Sequence, residues 1–240
     1  MEPSTRWAAW STAALLSVAG LAHADYAPFQ GYVKMPQTLA PMIMGNLASE
    51  NLRLINEQNG QGGKAASPAA SKGATIAPKS SSSTGTAHAL AARYPAGQRA
   101  QIEQAFDESL RSYQKLAAKL GIPEDDVAGA AAAFIAGSYM AYRDVDLPDP
   151  HFTALVAQMR KVLADNPAFV RTSASDKRQL YEQMAIIGTF MAVTREALKR
   201  QPPDANVARN FRASARANLE QFMKTDAERV AIDAQGLRIR

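Results

Sequence analysis

The sequence predicts an all-α protein: a helical bundle of about five helices with a short C-terminal β-hairpin, preceded by a tethered N-terminal helix. Apolar residues recur at helical spacing over most of residues 88–240. Proline and glycine stops separate these stretches, and the last residues alternate between apolar and polar instead. The chain has 240 residues, of which 47% are apolar, so it can build one well-packed core.

Residues 1–24 have the pattern of a secretory signal peptide. Arg6 precedes a mostly apolar run from Trp7 to Leu21, and Ala22-His23-Ala24 is a small-residue cleavage motif. The run is too short to span a bilayer permanently; an N-terminal anchor that stays uncleaved is the alternative. Cleavage would give a mature chain that begins at Asp25, in the periplasm or outside the cell, with no transmembrane span.

Residues 25–58 combine an aromatic lead with one amphipathic helix, predicted over about residues 38–56. Its apolar stripe consists of Leu39, Met42, Ile43 and Leu47. Because a lone helix of this length is marginal in water, it needs a partner surface. It either packs on its own domain or acts as a recognition arm for another protein or a membrane surface. The missing Lys/Arg-rich polar face favours the first alternative.

Residues 59–87 are predicted to form a flexible linker. They consist almost entirely of Gly, Ser, Ala, Thr, Pro and Lys, with Ile76 as the one large apolar side chain. Such a composition cannot bury enough surface to offset the entropy lost on ordering. The domain that follows is expected to span residues 88–240.

The first two bundle helices are predicted from their stops and their charge pattern. The first covers about residues 96–120 and ends at Gly121. The second opens at Pro123, with acids in its first turn. It continues through an uncharged run over 127–142, as expected of a central buried helix. A smooth face for close helix packing is formed by Gly129, Ala133, Gly137 and Ala141.

Three more helices and a hairpin complete the predicted bundle. The third helix starts near Asp149-Pro150 and stops near Asn166-Pro167; the fourth runs over about residues 175–199. The fifth is capped by Asp204 and extends to about residue 224. Residues 230–239 alternate around Asp233-Ala234-Gln235-Gly236, which predicts a short hairpin.

Composition excludes several classes of function. With no cysteine, the chain cannot hold a disulfide framework, a thiolate zinc site or an iron–sulfur cluster, and it has no cysteine nucleophile. Its formal net charge is +5, but residues 88–240 are near charge balance, which does not indicate nucleic-acid binding. We therefore expect no nucleic-acid partner and no cofactor.

The sequence offers no motif that specifies a catalytic or metal site. His88 lies at the linker edge, and His151 lies in the first turn of the third helix, where a capping or exposed role is expected. Asp144, Asp146 and Asp149 lack the glycine and glutamate positions of an EF-hand loop. The glycine-rich segment 60–64 lacks the spacing of a P-loop.

Arg209, Arg212 and Arg216 fall at i, i+3 and i+7 on the fifth helix. A solvated basic face explains this spacing. Alternatively, the three residues form a docking patch for an acidic partner or an anionic lipid, because arginine binds carboxylates and phosphates well. A third alternative is an intramolecular pairing with Glu124, Asp125 and Asp126.

Several short features of the bundle sequence can be compared with known families: Tyr94-Pro95, Gly121, Val127-Ala128 with the small-residue run that follows, and the closing Asp233-Ala234-Gln235-Gly236-Leu237. Through these features, roughly the last 150 residues of the chain show a resemblance to an uncharacterised family of exported proteobacterial helical proteins. The resemblance implies export and an all-helical fold, and it implies no site.

The function these observations favour is a non-catalytic interaction or binding module, with an unidentified protein partner. The export signal, the missing catalytic motif and the tethered amphipathic arm support it. A hydrolase that uses carboxylates from different helices is one alternative. A peripheral protein of the envelope surface is another.

Overall fold

The computed structural model describes residues 72–79 and 85–240. The predicted signal peptide, the arm with its stripe Leu39, Met42, Ile43 and Leu47, and much of the linker lie outside the described residues. The described part contains seven α-helices and one two-stranded antiparallel sheet, which confirms the all-α class and the C-terminal hairpin. Their bounds are α1 (Thr86–Ala91), α2 (Arg99–Lys119), α3 (Val127–Arg143), α4 (Asp149–Ala164), α5 (Pro167–Val170), α6 (Ala174–Arg200), α7 (Ala205–Met223), β1 (Val230–Asp233) and β2 (Gly236–Ile239).

Helix α3 is the central element. Every residue from Val127 to Ser138 is buried, and α4, α6 and α7 all pack around it. Its small side chains let α6 approach closely: a Cβ added at Gly137 would lie 1.9 Å from the carbonyl oxygen of Gly188. The predicted smooth face is therefore present, and Gly188 of α6 packs against it.

Ion pairs at both ends show that α3 and α6 run parallel. Asp125, just before α3, pairs with Arg178 near the start of α6, whereas Asp144, just after α3, pairs with Arg195 near the end of α6. Arg195 also holds Asp146 at 2.7 Å, and this hydrogen bond lowers the pKa of the Asp146 carboxyl. The ion pairs at the two ends thus fix the register of α3 against α6, the closest helix pair.

The directions of the other helices follow from their contacts. Helix α2 is antiparallel to α6, because Phe106 meets Phe190 while Tyr113 meets Tyr181. Arg160, in the last turns of α4, pairs with Asp126 at the start of α3. The C-terminal ends of α2 and α4 and the N-terminal ends of α3 and α6 therefore meet at one end of the bundle.

The second and third helices differ at their N-terminal ends from the sequence prediction. Helix α3 starts at Val127, not at Pro123, because Asp125 has φ 61° and Asp126 caps the helix by accepting a hydrogen bond from the Ala128 amide. The acids therefore precede α3. Helix α4 starts at Asp149, as predicted, but the extended Pro148 occupies the cap position, whereas Asp149 followed by proline predicts Asp149 as the cap.

Two short helices were missed. Helix α1 lies partly within the predicted linker, and α5 follows Asn166, whose side chain accepts hydrogen bonds from the amides of Ala168 and Phe169. Neither is long enough to show a helical period. Both are stabilised by burial, of Leu90 in α1 and of Phe169 in α5.

Residues 72–79, which we call the strap, differ from the flexible linker expected there. A 3-10 turn over Lys72–Thr75 leads into an antiparallel bridge between Ile76 and Asp126, and the Ala77 amide donates to the Asp125 carbonyl at 2.9 Å. Thr75 and Ala77 are both 1% exposed. Small residues are ordered here because the bundle provides their hydrogen-bond partners.

The C-terminal hairpin packs on α4. Its register pairs Val230 with Ile239 and Asp233 with Gly236. The Gln158 side chain of α4 donates to the Leu237 carbonyl at 3.0 Å and accepts from the Leu237 amide at 2.7 Å, so it occupies the outer edge of β2 as a further strand would.

Candidate functional site

A cleft of about 580 Å³ opens at the end of the bundle where the strap lies. Its walls come from the end of the strap, from α1 and from the first turns of α6. Most of its lining residues are polar or small: Pro78, Lys79, Gly85, Thr86, Ala89, Ala174, Ser175, Asp176, Arg178, Gln179 and Glu182. A cleft of this size lies within the range of small-molecule sites.

A buried ionic cluster forms the floor of the cleft and continues beneath it. Its first part centres on Asp126, which is fully buried. One carboxylate oxygen accepts hydrogen bonds from the Thr75 hydroxyl at 2.6 Å and from the Ala128 amide at 3.1 Å. The other accepts from Nε of Arg160 at 2.8 Å. Asp126 therefore caps α3 and connects both the strap and α4 to this helix by hydrogen bonds.

The second part of the cluster lies directly at the cleft. Nη1 of Arg178 lies 2.5 Å from Oδ1 of Asp125, and its Nε lies 2.8 Å from Oε1 of Glu182. The other oxygen of Glu182 accepts from the Thr86 hydroxyl at 2.5 Å. Both carboxylates are buried, and the Arg178 side chain is 20% exposed. Charged groups at this depth are stable only when they are paired, as Asp125, Arg178 and Glu182 are here.

Two tyrosines pack beside the cluster, with ring centroids 6.0 Å apart. Burial, reinforced by the charge of Asp125, raises the pKa of Tyr181 to about 12. Burial also raises the pKa of Tyr113 far above its ordinary value, and its hydroxyl has no hydrogen-bond partner in the described residues. Both phenols are therefore neutral at physiological pH.

The chemistry of this site is that of a closed network. Three carboxylates and two guanidinium groups are joined by ion pairs and hydrogen bonds across the strap, α1, α3, α4 and α6, which leaves one carboxylate charge in excess. Within the described residues, no three potential ligands of the His, Cys, Asp and Glu types come together as a metal site would need. The imidazole of His88 instead lies 2.9 Å from Glu103, and half-buried His151 is in the first turn of α4.

The three arginines predicted as a docking patch lie on α7 and make contacts within the chain. Nε of Arg212 donates to the Tyr142 carbonyl at the end of α3, at 2.7 Å. Arg216 pairs with Glu220 at 2.7 Å and with Asp226 at 3.3 Å, and Arg209 hydrogen-bonds to the Asn206 side chain.

The three acids considered as intramolecular partners of these arginines pair elsewhere. Glu124 lies 3.5 Å from Lys79, Asp125 binds Arg178, and Asp126 binds Arg160. The α7 arginines and the acids before α3 therefore do not form the pairing considered from the sequence.

Sequence reasoning identified Asp125 and Asp126 as helix-start acids and as possible partners of the α7 arginines, and it missed Arg160, Arg178 and Glu182. These partners lie 34 to 57 positions away in the chain, so no local spacing connects them. The one available signal was the charge of Glu182, which interrupts the apolar stripe of its helix near Leu180 and Met184.

Comparison with known proteins identifies a family and no relative of established activity. Among the described residues, no helix is both long and apolar enough to cross a membrane. Searches of curated proteins and of solved structures gave no match. A family model does match residues 33–240, which include the whole strap, the cleft and the ionic cluster. The chain therefore belongs to a family of unknown function, DUF6683.

Proposed function

We propose that the chain is an exported binding protein without catalytic activity, and that its ligand or partner occupies the cleft between α1 and α6. One observation carries this proposal. The charged groups at the floor of the cleft already hold one another, so the cleft is a rigid surface shaped by internal pairs. Such a surface suits recognition, which depends on preorganisation.

Catalysis by acid and base would need a carboxylate that is free to exchange a proton with a substrate. Glu182 lines the cleft, but one of its oxygens faces Arg178 and the other accepts from Thr86. Asp125 lies behind Arg178. The network thus occupies Asp125 and Glu182, and Asp176 is the one carboxylate of the described cleft lining that lies outside it.

A large side chain that fills the cleft tests whether the partner or ligand binds there. Ala89 is exposed and lines the cleft, whereas Ala92 is exposed on the same helical segment outside the lining. We expect Ala89→Trp to abolish recovery of the partner or ligand from an envelope extract, measured by quantitative mass spectrometry. Ala92→Trp should leave recovery unchanged. Equal recovery by both variants would exclude the cleft.

Export is supported by the leader pattern of residues 1–24 and by the family match, which begins after it at residue 33. Expression of the full chain in a bacterial host, followed by fractionation and N-terminal sequencing, tests this part. A product that starts at Asp25 in the periplasm or medium is expected. An uncleaved product in the cytosol would refute export.

The predicted arm is a second candidate contact for a protein partner. Deletion of residues 25–58 should weaken capture of a protein partner if the stripe Leu39, Met42, Ile43 and Leu47 contributes to recognition. Unchanged recovery after this deletion would remove the arm from the binding surface and leave the cleft.

A hydrolase is the second candidate, because Asp176 and Glu182 both line the cleft. It predicts turnover of a chromogenic ester or glycoside that Glu182→Gln removes. Turnover that survives this substitution would not come from the site described above.

A further inference from the structure

We propose that the strap end of the bundle docks on a membrane surface through anionic phospholipid headgroups. The inference does not depend on what the cleft binds. It starts from four cations at this end: Lys119, Lys161, Arg171 and Lys177, which we call the cationic ring. Lys119 ends α2, Lys161 lies in the last turn of α4, Arg171 follows α5, and Lys177 lies in the first turn of α6.

The four residues of the cationic ring lie at the same end of the bundle because of the directions of their helices, not because they are close in the sequence. The C-terminal ends of α2 and α4 meet the N-terminal end of α6 here, as the Tyr113–Tyr181 contact and the Asp125–Arg178 pair show. Lys119, Lys161 and Arg171 are exposed. Lys177 is half-buried and lies 4.9 Å from the centroid of the Phe169 ring.

No ion pair matches the charge of the ring, and nearby acids offset it only in part. Among the described residues, no carboxylate forms an ion pair with any of its four members. The unpaired acids nearby are Asp165 and Asp176, and Glu124 is paired with Lys79. The buried cluster adds one excess carboxylate. The four cations of the ring therefore still outnumber the negative charges of Asp165, Asp176 and this carboxylate at the strap end of the bundle. At the opposite end, Arg195 and Lys199 are paired with acids.

An exposed apolar side chain directly precedes Arg171 of the cationic ring. Val170 is 59% exposed and is one of two large apolar side chains that the described residues expose; Val145, at 39%, is at the opposite end. Basic residues around an apolar tip are typical of proteins that lie on anionic membranes.

The position of the upstream chain favours a membrane over an acidic protein as the occupant. The chain enters the bundle at this end, through the strap. The predicted linker leads from the arm to the strap, and its residues 59–71 would span roughly 20 Å by the relation for flexible chains. The predicted amphipathic arm can therefore reach the same surface that the cationic ring faces.

Vesicle co-sedimentation of the chain from Asp25 tests the proposal. We expect binding to phosphatidylcholine vesicles that contain phosphatidylglycerol, no binding to phosphatidylcholine alone, and loss of binding as salt screens the charges. Each Lys or Arg near an anionic surface contributes about fivefold to partitioning. The variant Lys119→Gln/Lys161→Gln/Arg171→Gln should therefore bind at least roughly tenfold more weakly, and Val170→Ser should also bind more weakly.

The matched control carries the same change in net charge on other faces: Arg111→Gln/Arg200→Gln/Arg209→Gln, all exposed. It should keep nearly full binding, and circular dichroism should show both triple variants folded. Equal loss in the two triple variants would mean that net charge, not the cationic ring, causes binding. That result, or wild-type binding that ignores phosphatidylglycerol, would overturn the proposal.

Discussion

At the level of single residues, Gly137 and Gly188 set the distance between α3 and α6. A Cβ at Gly188 would lie 2.4 Å from the backbone carbonyl carbon and oxygen of Ala133. A backbone cannot move aside as a flexible side chain can, so any larger residue must separate the two helices.

Gly188→Ala should therefore destabilise the protein although alanine favours helix by about 1 kcal/mol. Forced separation of a packed pair costs about 1–3 kcal/mol or more, and we expect a net loss of about 2 kcal/mol in urea unfolding. Gly97→Ala is the control, because a Cβ there meets nothing within 4 Å. Equal stability of the two variants would show that α3 and α6 are less closely packed.

Asn218 on α7 is a buried amide without internal partners. It is 1% exposed, and neither its side-chain oxygen nor its nitrogen has a hydrogen-bond partner in the described structure. An unsatisfied buried polar group costs about 1–3 kcal/mol. Asn218→Leu, which keeps the branched shape and the number of heavy atoms, should raise the free energy of unfolding by about 1 kcal/mol. Exposed Asn210→Leu on the same helix should change it little, and a lower stability of Asn218→Leu would contradict this account.

At the level of elements, the strap is held by its backbone pairing, by the exposed Lys79–Glu124 ion pair and by one buried side-chain hydrogen bond, from Thr75. Thr75→Val keeps the shape of the side chain but removes the hydroxyl that donates to Asp126 at 2.6 Å. A buried carboxylate then loses a donor, which should cost about 1–3 kcal/mol. Detachment of the strap should also speed tryptic cleavage after Lys79.

Thr153→Val is the control for the strap, since the Thr153 hydroxyl donates to the Pro150 carbonyl at an exposed position. If Thr75→Val and Thr153→Val were cleaved at the same rate, the strap would be held by its backbone pairing and the Lys79–Glu124 ion pair without the Thr75 hydrogen bond.

The elements also show which parts of the fold can be predicted from local sequence patterns. Helices α2, α3, α4, α6 and α7 are long and striped, so their periodicity predicts them, and Asp204 caps α7 as expected. Helix α1 and the strap are short and rich in small residues, and their order depends on burying Ala77 and Leu90 against other helices. Composition alone therefore indicates a linker where the bundle orders the chain.

At the level of the whole molecule, three buried tyrosines make the stability of the fold decrease at alkaline pH. Burial raises the pKa of Tyr94, Tyr113 and Tyr181 above the ordinary value of 10.0. A raised pKa favours the neutral phenol in the folded state. This contribution is complete below pH 10 and is lost as the pH rises toward the folded-state values, that of Tyr181 being about 12.

We therefore expect the folded protein to ionise these tyrosines only as it unfolds at high pH. Ultraviolet absorbance of tyrosinate, recorded with circular dichroism in a pH titration, measures this. Tyr181→Phe should remove one late-titrating group. Ionisation near pH 10 without unfolding would show that these phenols reach solvent.

The sequence by itself determined the helical class, the main helix positions and the hairpin, because stripes, caps and stops are local features that each helix carries alone. Only the tertiary structure decided which charges meet. Asp125 and Asp126 find Arg178 and Arg160 because α3 runs parallel to α6 and antiparallel to α4. Removal of charges from water is tolerated only where a partner arrives from another helix. The cleft and the cationic ring therefore exist only once the helices have packed.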